Sequence, residues 1–171
     1  MNQKPQTGEY APYYETYISK VPEGDIIAVL EKQHKEMTDF LENIQKDKSN
    51  FSYAPGKWSV KEVIGHINDV ERVFGYRALR ISRKDETPIP GFEQDDYVAN
   101  SNLKNIPIGD SIKEFSFLRQ GNLMMFKSFA DEMWLNKGIA SNNNVTVRAI
   151  AYIIAGHADH HIGVLKEKYG L

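Results

Sequence analysis

RAIAYIIAGHADHHIGVLKEKYG, residues 148–170, carries an apolar stripe at helical spacing and sets histidines inside it. Ile150, Ile153, Ile154, Val164 and Leu165 mark the stripe. His157 lies seven residues after Ile150, four after Ile153 and three after Ile154. His161 lies four after His157, three before Val164 and four before Leu165. Both therefore occupy the core-facing side of one long helix. An i,i+4 pair is offset by about 40° around the axis and about 6 Å along it, so the two imidazoles can converge on one point. His160 sits on the edge of the stripe, and Asp159 points broadly away from it.

Three more segments carry the same period. Ile27, Leu30, His34, Met37, Leu41 and Ile44 are spaced 3-4-3-4-3, an a/d seam in a helix over about 25–45 with Asp25 as N-cap. Ser59 and Glu62 form a capping box, Trp58 can staple onto Val63, and the helix they open is expected to run to about Ser82. Asp110 or Ser111 opens a third, ending near Trp134, and Thr146 or a neighbour opens the last. Residues 85–109, with Pro88, Pro90, Gly91 and Pro107, read as a long crossover holding a short helix around 95–102. NKGIASNNN (136–144) reads as a loop, and no segment reads as a strand. The expectation is an all-α four-helix bundle with a long connection between its second and third helices, one domain over 1–171, and an N-terminal arm over 1–22.

His66, on the second helix, repeats the anomaly: it lies three after Val63 and four before Val70 on an apolar face. A glycine precedes it, as one precedes His157, which would let neighbouring backbones approach. An unpaired buried imidazole costs a few kcal/mol, so partners are required. A divalent metal would satisfy all three, and bundle cores commonly house such sites. An ordinary satisfied core histidine is the competing reading, and it is the preferred one for His34.

Composition narrows the chemistry. There is no cysteine, which removes disulfides, thiolate metal sites and a cysteine nucleophile. With 21 basic and 23 acidic residues the net charge is −2, giving no electrostatic case for nucleic acid or an anionic membrane. The start, MNQKPQTGEYAPYY, lacks a signal-like apolar region, and no run approaches the roughly 18 apolar residues of a membrane span. A soluble cytoplasmic protein is expected.

W-S-V-K-E-V-I-G-H-I-N-D-V-E-R (58–72) followed by G-H-A-D-H-H-I-G-V-L (156–165) resembles the DinB-like, YfiT-like superfamily, and the resemblance covers nearly the whole chain. It implies a four-helix bundle, often a homodimer, with a divalent metal such as nickel or zinc on three histidines. Matched motif by motif, those ligands fall on His66, His157 and His161. Some members resemble thiol S-transferases that use bacillithiol, mycothiol or a glutathione-like thiol, and others are metal-dependent hydrolases. The expected role is therefore a metal-dependent enzyme acting on a small-molecule substrate, with a low-molecular-weight thiol as cosubstrate. The alternatives are hydrolysis by metal-bound water and a non-catalytic metal- or ligand-binding module. His160 and Asp69, the latter three residues after His66, are the acid–base candidates beside the ligands. Tyr10, Tyr13, Tyr14 and Tyr17 read first as an arm packed on the bundle or at a dimer contact, and second as a ligand entrance. Arg72, Arg77, Arg80 and Arg83 read as a solvated face, and Asp95-Asp96 as a helix start.

Overall fold

A computed structural model describes residues 3–171. Its helices are α1 (Glu15–Ile18), α2 (Ile26–Glu42), α3 (Val60–Ser82), α4 (Gln94–Ala99), α5 (Ile108–Lys127) and α6 (Val147–Tyr169). The long ones, α2, α3, α5 and α6, form a four-helix bundle. Their ends follow local chemistry. Asp25 Oδ1 accepts from the Ile27 amide, and Thr146 Oγ1 accepts from Ala149. Ser59 and Glu62 close a complete capping box, with Glu62 Oε2 accepting the Ser59 amide at 2.7 Å. Gly170, at φ +68°, ends α6 in the left-handed conformation that favours glycine.

α3 packs against both α5 and α6, and α2 packs against the same two. Around the bundle the order is thus α2, α5, α3, α6, and helices consecutive in the chain, α2 and α3, lie across a diagonal. The connection from α3 to α5 is the expected long crossover and carries α4. α1 lies along α6. Among the described residues no helix is long and apolar enough to cross a membrane.

Two expectations need correction. The third bundle helix starts at Ile108, behind Pro107, and stops at Lys127 rather than near Trp134. Its apolar pattern outlasts it because Phe129, just past its end, and Trp134, on a 3₁₀ turn over Asp131–Leu135, fold back onto Phe126, with Trp134 stacked at 5.7 Å. The expected loop over 136–144 is instead a hairpin, β1 (Lys137–Ala140) antiparallel to β2 (Asn143–Thr146). Ser141 and Asn142 form its two-residue turn with φ of 51° and 60°, the signs a primed turn requires. Neither is glycine, so the usual hairpin signal is missing. The crossover docks on this hairpin: Ile89 donates to Ile139 O at 2.9 Å and accepts from Ser141 at 3.0 Å.

The apolar interior falls into two clusters. One contains Leu30, Phe74, Leu123 and Ile150, and the other Met37, Ile64, Phe115 and Leu165. A polar layer crosses the bundle between them. Arg119 (0% exposed) donates through Nε to Glu71 Oε1 at 2.9 Å and through Nη1 to Gln33 Oε1 at 2.5 Å. Gln33 Nε2 donates to Ala155 O and Asp159 Oδ1, and Asn122 donates to Glu71 Oε2. Every bundle helix contributes to this layer, and its α6 contacts flank His157.

Candidate metal centre

The three histidines converge. His66 is presented by α3, and His157 and His161 by successive turns of α6. Nε2 of His66 lies 2.9 Å from Nε2 of His157, and all three rings offer a nitrogen within 4.8 Å of the others. Two imidazoles at about 2.0–2.1 Å from a common ion and at roughly right angles bring their nitrogens within about 3 Å of each other. His66 and His157 are buried and His161 is half-buried. The donor set of three imidazoles therefore fits a divalent cation.

Burial keeps these rings neutral. Desolvation pushes His66 down to about 4, against a small opposing pull from Asp95. Desolvation, reinforced by His66 and His160, pushes His161 down to about 3. His157 is held well below the ordinary range by burial, then by the other two rings. At neutral pH a cation would meet lone pairs with no proton to displace.

The glycines do what their positions suggested. A Cβ on Gly156 would stand 2.1 Å from the Tyr17 carbonyl oxygen, so only glycine lets α1 lie against α6. That contact brings the Tyr17 ring to 5.5 Å from both His157 and His160. A Cβ on Gly65 would meet Leu103 at 2.3 Å, which seats the crossover on α3. Trp58 lies 4.9 Å from the His66 ring.

Two cavities open onto the histidines. One, of about 250 Å³, reaches His66 and His157 beneath the tyrosines of the arm. The other, of about 310 Å³, reaches His161 past Trp58, Lys57 and Tyr169. Asp95 of α4 lines both.

Nδ1 of His160 accepts from Lys20 Nζ at 3.2 Å, and its ring lies 5.0 Å from that of His161, so it flanks the centre in neutral form. Asp69 is engaged elsewhere, with Oδ1 3.6 Å from Nη1 of Arg72. His34 donates to or accepts from Ser116 Oγ at 2.9 Å and is not among the three converging rings. Asp95, for which a helix start is preferred over an ion site on sequence, lines both cavities, and Glu93 lines the first. Tyr13, Tyr14 and Tyr17 line the first cavity. Arg77 is buried over Phe74 and does not belong to a solvated face.

Residues 29–165 match the DinB superfamily, and the chain belongs to it. The fold is similar to that of YfiT from Bacillus subtilis, described as a probable metal-dependent hydrolase with an unusual four-helix bundle topology. The likeness has a TM-score of 0.74 at 16% identity and covers 99% of this chain and 94% of that one. A mycothiol-dependent maleylpyruvate isomerase is similar at a TM-score of 0.67 and 9% identity, over 80% of this chain. The match spans 58% of the isomerase's length. No curated protein matches the chain.

Proposed function

We propose that this chain is a divalent-metal-dependent enzyme that joins two small molecules at His66, His157 and His161, with transfer to or from a low-molecular-weight thiol as the reaction class. The observation that carries the reading is that two cavities reach one cluster of three neutral imidazoles, the first at His66 and His157 and the second at His161. The chain has no cysteine, so the thiol is a cosubstrate. A bound divalent ion would supply Lewis acidity, lowering the pKa of a thiol or water to near neutrality. His66 and His157, both buried, and half-buried His161 would hold the ion. Asp95, between the cavities, accepts the proton that a thiol or water releases. His160, fixed by Lys20, keeps the ring of His161 in place.

Hydrolysis is the second reading, favoured by the same carboxylate beside a metal-activated water and by the likeness to YfiT. The ion is nickel or zinc, since three imidazoles suit both. A cytoplasmic homodimer completes the proposal, and light scattering of the purified protein tests the dimer.

The primary test is elemental analysis of protein purified without an affinity tag, beside His157→Ala and His161→Ala. About one divalent ion per chain in the parent and none in either variant is expected. Equal trace metal in all three would overturn the reading. Thiol-dependent consumption of an electrophile by the loaded parent then separates transferase from hydrolase, and inertness toward both substrate types leaves a binding module.

A further inference from the structure

The geometry points to an organic cation, a small ammonium or quaternary ammonium group, as the ligand of the cavity above His66 and His157. This deepens the proposed function by naming a substrate class for one of the two cavities, and it rests on that reading only for what happens to the ligand afterwards.

Five aromatic rings line the cavity: Tyr13, Tyr14, Tyr17, Phe74 and Phe92. Three of the pairs among them meet edge to face, and Tyr14 and Tyr17 are tilted at 40°. Tyr13 meets Tyr14 at 75° and Tyr17 at 80°, and Tyr14 meets Phe74 at 84°, with centroids 5.4, 5.7 and 5.9 Å apart. A cavity walled by several aromatic rings attracts a cation where the negative faces of their π systems reach it. A 3.0 Å hydrogen bond between the hydroxyls of Tyr13 and Tyr17 holds two walls together.

The rim is acidic. Glu93 and Asp95 line the mouth, and no lysine or arginine does. Arg77 lies over Phe74 and Phe92, at 4.7 and 5.8 Å, but does not line the cavity, and it covers none of the three tyrosines. A divalent ion on the histidines would add two positive charges and these carboxylates return two, so a cationic ligand is not repelled. At about 250 Å³ the space falls just below the roughly 300 Å³ at which drug-sized sites begin, which suits a small amine.

The test uses three ligands of nearly one shape: choline, the neutral 3,3-dimethyl-1-butanol and the anionic 3,3-dimethylbutanoate. Each is titrated by calorimetry into the purified protein and into the same protein after chelator treatment. Choline is expected to bind at least about tenfold more tightly than the alcohol in both preparations. The carboxylate is expected to be weakest in the chelated sample, where it has no metal to ligate. Tyr13→Ala, at an exposed position, and Asp95→Asn should each weaken choline several-fold and by more than they weaken the alcohol. Equal binding of choline and the alcohol, tighter binding of the carboxylate in chelated protein, or no binding of any of the three overturns the proposal. A choline preference in protein that takes up no metal would sink the metal reading and leave the aromatic cage standing. Loss of the preference in protein with a full metal complement would do the reverse.

Discussion

Gly156 carries a hydrogen where any other residue would carry a carbon 2.1 Å from the backbone of Tyr17. That atom belongs to the chain of α1, so a flexible side chain cannot swing out of the way. Gly156→Ala should move α1 outward and cost about 1–3 kcal/mol in denaturant unfolding, even though alanine is the better helix former. Gly65→Ala should cost less, because the clash there is with the side chain of Leu103. The histidines were legible at this scale because helical spacing alone puts His66, His157 and His161 where apolar residues belong. Asp95 was not legible. Its place at the cavities comes from a crossover that meets α3 only after folding, and nothing local distinguishes it from Asp96. Arg119 was hidden for a related reason: one arginine in a helix looks solvated until its partner, Glu71, arrives from another element.

At the scale of elements, the ends were read well where a side chain caps them and poorly where tertiary packing decides. The Ser59 capping box places the start of α3, and therefore the height of His66 in the bundle. Ser59→Ala should cost about 1 kcal/mol, seen as a lower thermal midpoint, with metal stoichiometry unchanged. The end of α5 depends instead on Phe129 and Trp134 turning back, which leaves the apolar period looking continuous. The hairpin was invisible because Ser141 and Asn142 supply positive φ without glycine. It matters to the site all the same. It anchors the crossover at Ile89, and the crossover carries Asp95.

For the whole molecule, the buried layer and the histidines set how stability responds to charge. Arg119→Ala leaves Glu71 as an uncompensated charge in the interior, and a loss of about 3–5 kcal/mol is expected in chemical unfolding. Acid acts through the histidines. Their folded pKa values lie below the unfolded value of 6.5, so between these limits the unfolded chain binds more protons than the folded one. Stability of the metal-free protein is therefore full above about pH 6.5 and declines as pH falls toward the values of about 4 and 3 that His66 and His161 hold when folded. Urea midpoints measured across that window on chelated protein check this, and a midpoint that rises with acid would contradict it.

The polar layer also partitions the molecule. Ile81 lies in one apolar cluster and Ile64 in the other, on the same helix yet with no shared neighbourhood. Ile81→Val and Ile64→Val, each costing about 0.5–1.5 kcal/mol, should then combine additively to within about 0.5 kcal/mol, a result a double-mutant cycle reads directly. Two compartments that share a waist but no packing can drift at separate rates. Side chains above the waist, under the tyrosine arm, can be rewritten to suit a new ligand while those below continue to hold the bundle shut.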